Sequence, residues 1–161
     1  MIRSALASDA QAIARIYNDY ILNTTITFEE QEVSTQQMAQ RIEDVAALFL
    51  PWLVVEQAGQ VVGYAYASKW KVRSAYRYSV ESTVYLARGV RGKGLGTQLY
   101  IALFELLKEK GVHVVVSGIT LPNPASIALH EKLGLKKIAH FNEIGFKFNE
   151  WLDVGYWQVI L

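Results

Sequence analysis

Val84-Tyr85-Leu86-Ala87-Arg88-Gly89-Val90-Arg91-Gly92-Lys93-Gly94-Leu95-Gly96-Thr97 joins a strand-forming run to a glycine-rich turn and then to a helix. Residues 88–96 hold four glycines in nine positions. The apolar residues that follow, Leu95, Leu99, Ala102, Leu103 and Leu106, recur at helical spacing and predict one buried stripe. Glycines in such a turn let backbone N–H groups converge on phosphate oxygens, and the helix N-terminus adds positive potential. Two nucleotide motifs fail here. A P-loop requires Ser or Thr after Gly-Lys, but Gly94 follows Gly92-Lys93. A dinucleotide fingerprint would need glycine where Thr97 stands, and no acidic residue lies about twenty positions on. A plain turn is the remaining alternative, and the strand before and helix after weigh against it.

Outward from the loop, residues 76–86 predict a long strand rich in Tyr, Val, Ser and Thr. Residues 112–120 predict a strand buried on both faces, after a helix stopped by Gly111. Asn123 and Ser126 open a helix that ends at Gly134, and residues 135–141 and 154–161 read as closing strands. Towards the N-terminus, residues 2–6 form a short strand and Ser8-Asp9 cap a helix carrying Ile13, Ile16, Tyr17 and Tyr20 on one face. Residues 26–28 are an extended connector, and Ser34 caps a second helix through Met38, Ile42, Val45 and Ala46, ending before Pro51. Residues 52–56 and 60–67 flank Ala58-Gly59, a hairpin signal. The order β-α-α-β-β-β-α-β-α-β-β predicts an α+β fold, a mixed sheet flanked by helices. No repeat or linker interrupts it, so residues 1–161 read as one domain.

Composition narrows the chemistry. The 161 residues are 52% hydrophobic and 19% charged, which excludes wholesale disorder. A net charge of +1, from 16 Lys and Arg against 15 Asp and Glu, argues against a nucleic-acid groove held by bulk electrostatics. With no cysteine there is no disulfide, thiolate nucleophile or cysteine-based metal site. His113, His130 and His140 fall in no metal-binding spacing, and no metal is expected. No apolar run approaches the ~18 residues of a membrane span. The start, Met1-Ile2-Arg3-Ser4, carries no apolar signal core, so a cytoplasmic protein with no membrane partner is expected.

The segment Arg91-Gly92-Lys93-Gly94-Leu95-Gly96 resembles the pyrophosphate loop of the GNAT superfamily of N-acetyltransferases. Further stretches resemble the phosphinothricin and methionine sulfoximine acetyltransferase branch: Trp70-Lys71-Val72-Arg73-Ser74-Ala75-Tyr76, Glu81-Ser82-Thr83-Val84-Tyr85, Leu121-Pro122-Asn123-Pro124-Ala125-Ser126, Leu129-His130-Glu131-Lys132-Leu133-Gly134 and Trp151-Leu152-Asp153-Val154-Gly155-Tyr156-Trp157-Gln158. With Ile16-Tyr17-Asn18 and Thr27-Phe28, the likeness runs the length of the chain. The resemblance implies a mostly antiparallel twisted sheet, acetyl-CoA as donor, a small amino acid or its analogue as acceptor, and a homodimer. Two departures are Leu135, where an aromatic is usual, and His130, where many superfamily members outside this branch place a tyrosine near the leaving sulfur.

Acetyl transfer needs a neutral amine, because an ammonium has no lone pair, so a base is wanted nearby. Glu81 is the candidate: an acid in an uncharged strand, on the face opposite Val80, Ser82 and Val84. An exposed strand carboxylate is its bland alternative. The resemblance sets the backbone of Val84, Tyr85 and Leu86 against the pantetheine amides, and Arg91, Gly92, Lys93, Gly94, Leu95, Gly96 and Thr97 around the pyrophosphate. It adds a cofactor contact for Asn123, which helix capping alone would explain, and for Ser126. His130 is read either as proton donor to the coenzyme thiolate or as a core histidine on an apolar stripe. Lys71, Arg73, Tyr76 and Tyr78 precede Glu81 as candidates for the acceptor, with Arg73 the carboxylate fork. Phe28 would wall the acceptor pocket or simply pack in the core, and Lys147 is set aside. Polyamines or protein N-termini are alternative acceptors, disfavoured by Lys71 and Arg73, and a non-catalytic acetyl-CoA-binding module is the alternative from another class.

Overall fold

The computed structural model describes residues 1–90 and 94–161. Its strands are β1 (Ile2–Ser4), β2 (Trp52–Gln57), β3 (Gln60–Lys69), β4 (Ser79–Leu86), β5 (Val114–Thr120), β6 (Lys136–Lys147) and β7 (Glu150–Ile160). Its helices are α1 (Ala10–Asn23), α2 (Thr35–Ala47), α3 (Leu95–Glu109) and α4 (Pro124–Lys132). The seven strands form one sheet in the order β1-β2-β3-β4-β5-β7-β6. Every neighbouring pair is antiparallel except β4 and β5. The mixed α+β sheet is the one expected from the element order, and its mostly antiparallel pairing is the one the resemblance implies.

Strand alternation divides the core between two layers. Trp52, Val54 and Tyr64 pack with Ile13, Tyr17, Ile21, Met38 and Ile42 of α1 and α2 on one face. Leu53, Val55, Ala65, Val80 and Val115 pack with Leu95, Leu99, Tyr100, Leu103 and Leu107 of α3 on the other. The fully buried stripe of α3 thus runs through Leu107, while Ala102 and Leu106 flank it, half-buried. Ser34 caps α2 as expected: its hydroxyl accepts the Gln37 amide at 3.1 Å, and the Gln37 side chain accepts the Ser34 amide at 2.9 Å. The expected Ser8-Asp9 cap works differently. Asp9 makes no side-chain cap bond to α1, and its carboxylate instead takes the Leu6 amide and both terminal nitrogens of Arg3 at 2.8–2.9 Å. An ion pair therefore fixes the turn out of β1.

Two strand boundaries depart from expectation. Residues 76–78 are not strand: Ser74–Tyr76 form a 3₁₀ turn, with the Tyr76 amide on the Arg73 carbonyl at 3.0 Å. The closing strands are longer than read, because β6 and β7 form one hairpin around Phe148-Asn149, both at positive φ. Its outer residues Ile138, Phe141, Ile144, Phe146 and Trp151 are large, apolar and exposed, which hides the inside–outside alternation that marks a strand.

The site depends on how β4 leaves β5. Ser79, Val80 and Glu81 pair with Val114, Val115 and Val116, and the register ends there although both strands continue. Beyond Glu81 the sheet splays, and the β5-facing edge of residues 82–86 has no strand partner.

Candidate active site

Where β4 and β5 part, a cavity of about 260 Å³ opens between the sheet and the 26–28 segment. Glu81, Thr83 and Tyr85 of β4, Gly118 and Thr120 of β5, and Tyr156 of β7 are among its walls. A second groove of about 640 Å³ runs past Leu86, Arg88, Gly94 and Thr97 to Leu129. The two share Ile26 and Asn123 as common walls. A long ligand lying in the groove would therefore present its end to Glu81.

Glu81 is half-buried, and burial raises its carboxyl above the ordinary range, opposed by the nearby positive charge of Lys71. A carboxylate held this way is a better proton acceptor than a solvated one. The alternation expected from sequence holds: Val80 faces α3, and Ser82 turns into the interior under Tyr100, leaving Glu81 on the other side.

His130 is 3% exposed and sits among hydrogen-bonding groups. Its Nδ1 lies 2.6 Å from the Ser126 carbonyl, which can only accept, so Nδ1 carries the hydrogen. Burial lowers its pKa, so Nε2 offers a lone pair, and the Tyr100 hydroxyl, 3.1 Å away, donates to it. Tyr100 in turn accepts from Ser82 at 3.4 Å, and Ser82 shares a hydrogen with Ser117 at 2.6 Å. Burial pushes the Tyr100 phenol up to about 12, keeping it protonated. His130 is thus buried, and it also lines the cavity.

A histidine kept neutral in the fold contributes stability that is full above its unfolded pKa of ~6.5 and is lost as pH falls below it. Melting temperature should therefore drop from pH 7 to pH 5.5, and His130→Gln should flatten that slope while lowering the curve as a whole. Parallel slopes for the two proteins would remove His130 as the group responsible.

The loop residues Gly94–Thr97 line the groove. Gly94 occupies the N-cap of α3 at φ +65°, left-handed backbone that disfavours any side chain. With no side chain, Gly94 itself makes no capping bond to the first-turn amides of α3. Gly96 has a different constraint: a β-carbon there would come within 3.3 Å of Leu129, so it sets how closely α3 and α4 pack. Arg91, Gly92 and Lys93 lie outside the described residues. Val84 and Tyr85 line the cavity and Leu86 the groove, while the Leu86 carbonyl accepts the Tyr20 hydroxyl at 2.6 Å. Asn123 does cap α4, accepting the Ser126 amide at 3.2 Å, and it also lines both openings.

The acceptor-side candidates divide. Phe28 lines the cavity. Lys71, Arg73, Tyr76 and Tyr78 do not: Lys71 lies over the Trp70 ring at 4.9 Å, and Tyr78 is exposed beside the Arg77 guanidinium. Tyr76 lines a separate groove with Trp70 and Tyr156, and Tyr156 is the wall common to that groove and the cavity. Tyr100 and Tyr156, which line the cavity, and Ser117, which bonds Ser82 behind it, carry no signal that sequence reading picks up. Tyr100 sits on a helix stripe otherwise made of leucines and reads as core, and Ser117 stands in an apolar strand. Tyr156 falls inside a matched stretch but shows no signal of its own. Among the described residues no cluster of three or more His, Asp or Glu could hold a metal, and no helix is long and apolar enough to cross a membrane.

Comparison with known proteins agrees with this geometry. The family model described as "Acetyltransferase (GNAT) domain" matches residues 2–155. A phosphinothricin N-acetyltransferase of Streptomyces viridochromogenes is 40% identical over 157 residues, 98% of this chain and 85% of that protein. An L-methionine sulfoximine/L-methionine sulfone acetyltransferase of Salmonella typhimurium is 38% identical, over 99% of this chain and 94% of its own. The crystal structure of a Sinorhizobium meliloti phosphinothricin acetyltransferase in complex with acetyl-CoA superposes with a TM-score of 0.96 at 36% identity, covering 100% of this chain and 88% of that one. The splayed sheet, the glycine turn at the head of α3 and a match across nearly the whole length make this chain a member of the GNAT acetyltransferase family.

Proposed function

We propose that this protein transfers the acetyl group of acetyl-CoA to the amino group of a small amino acid or analogue of the phosphinothricin or methionine sulfoximine type. The observation that carries the reading is Glu81: a carboxylate with a raised pKa in the wall of a cavity that meets the α3 groove. Two relatives whose names specify such acceptors support the substrate class.

In this mechanism the first-turn amides of α3, with the glycine turn, receive the pyrophosphate. The edge of residues 84–86, which has no strand partner, takes the pantetheine amides, as an added strand would. Glu81 accepts the ammonium proton, directly or through one water, and the amine nitrogen attacks the thioester carbonyl. The C–S bond then breaks, the nitrogen gives up its second proton to solvent, and the proton returning to sulfur comes from solvent or from the Tyr100–His130 pair. A thiol pKa of ~8.5 means that protonation helps departure but is not essential. Lys71 and Arg73 supply cations on the approach to β4, outside the cavity walls, and from there Arg73 is proposed to reach the acceptor carboxylate. The enzyme acts in the cytoplasm, where acetyl-CoA is available to it.

The reading includes a homodimer. Its support is the apolar outer face of the β6–β7 hairpin, where Ile144, Phe146 and Trp151 are 50–64% exposed.

Thiol release from acetyl-CoA, measured across amino acids and their sulfone, sulfoximine and phosphinic analogues, tests the acceptor class. Arg73→Ala should raise KM for the best acceptor about tenfold or more, the worth of a charged hydrogen bond, with acetyl-CoA affinity unchanged. Equal wild-type rates on free-acid and methyl-ester acceptors would show that no carboxylate anchor exists.

A further inference from the structure

The stretch between α1 and α2 contains no helix or strand, so Phe28 is placed by what holds its neighbours. Three contacts hold them. The Thr27 hydroxyl bonds the Tyr17 hydroxyl at 2.8 Å, and Glu29 is gripped by Tyr17 and by Arg41, whose Nη1 donates to it at 2.8 Å. The third comes from far along the chain: Lys147, 1% exposed, donates from Nζ to the Thr27 carbonyl at 2.8 Å. Burying an ammonium to make one backbone contact is costly, and the contact ties this connector to β6.

Gly145 lies two residues before Lys147 on the same, inward face of β6. A β-carbon there would fall well inside van der Waals distance of Phe28 Cε2 and Cζ, and 2.9 Å from Cδ2. Its φ lies outside the left-handed region, so the backbone itself would accept a side chain. The missing β-carbon is therefore explained by the Phe28 ring, which supplies the three atoms nearest to it. Phe28 lines the cavity beside Glu81 and Gly145 does not, so the ring stands between Gly145 and the cavity.

We infer that Gly145 is a specificity-determining residue: by seating the Phe28 ring against β6, it sets how large an acceptor side chain the cavity admits. The inference rests on reading that cavity as the acceptor site. With the connector pinned at Thr27, a methyl group at position 145 drives the ring towards Glu81 and removes space from the acceptor.

The test compares Gly145→Ala with wild type on two acceptors that share a head group and differ in bulk, L-methionine sulfone and glycine. Gly145→Ala should lose about tenfold in kcat/KM for the sulfone and less than about threefold for glycine, since roughly one methylene of pocket space is worth a factor of ten or more. Phe28→Leu in the same background should restore the sulfone. Equal losses on both acceptors, or a gain on the sulfone, would overturn the assignment. A crystal structure of Gly145→Ala gives a readout independent of substrate: the ring should move towards Glu81, and a ring left in place sinks the inference whichever amines react. If the ring moves but the wild type acetylates neither amino acid, the acceptor reading fails and the wall assigned to Gly145 and Phe28 stands.

Discussion

Glu81→Gln should lower kcat by roughly 10²- to 10⁴-fold, the span associated with loss of a general base. Glutamine preserves the shape of the side chain, and the groove proposed for the cofactor is walled by other residues, so acetyl-CoA affinity should stay near wild type. The residual rate should climb steeply with pH, because solvent must then deprotonate the ammonium. Stability should move the other way. Burial raises the Glu81 pKa in the folded state. The fold therefore favours the protonated carboxyl, and the carboxylate weakens it as pH rises through the folded-state pKa. The variant should melt above wild type at pH 7, with the gap closing towards pH 4. Turnover within threefold of wild type at pH 7 would end the general-base assignment. A lower melting temperature across the whole range would show that Glu81 has a structural role.

Gly94→Val should abolish acetyl-CoA binding, raising Kd at least about 100-fold, the loss of one or two charge-assisted hydrogen bonds at roughly 1.5–3 kcal/mol each. The cause is local. A branched residue resists φ +65°, and if the turn unwinds the first amides of α3 lose their common direction. Among the described residues nothing lies within 4 Å of the position a β-carbon would take on Gly94, so the folded core should survive the change. Gly96→Val should also weaken binding, but with a fall in melting temperature, since its side chain meets Leu129 where α3 crosses α4. Calorimetry on folded Gly94→Val showing unchanged affinity would remove the pyrophosphate site from this turn. The two variants thus separate a glycine required by backbone conformation from one required by helix packing.

Much of this site was legible in the chain because its signals are local. A turn that must turn left-handed and expose amides has to be built from glycine, so the head of α3 can be read from residues 88–97 alone. Glu81 stands out for a related reason: strand alternation is a two-residue rule, and an acid on the face opposite Val80 and Ser82 declares itself without tertiary knowledge. The Ser34 cap and the Ala58-Gly59 turn, where both residues take positive φ, belong to the same class.

Other features needed the fold. Tyr100 is indistinguishable from its leucine neighbours until α3 is laid under β4 and its hydroxyl meets His130, thirty residues on. Neither Lys147 nor Gly145 carries a signal in sequence, because their partners, Thr27 and Phe28, come from a connector more than a hundred residues earlier. The β6–β7 hairpin extends past the bounds sequence predicts because in residues 142–147 the exposed positions carry Ile144 and Phe146 while the buried ones carry Gly145 and Lys147, which inverts the alternation that identifies a strand. The chain by itself determined the element order, the glycine turn at the head of α3 and the strand face of Glu81, since each follows from backbone geometry within a few residues. Only the tertiary structure decided the size of the cavity, the tautomer of His130 and the seat of Phe28, since each depends on atoms that contact order places far apart.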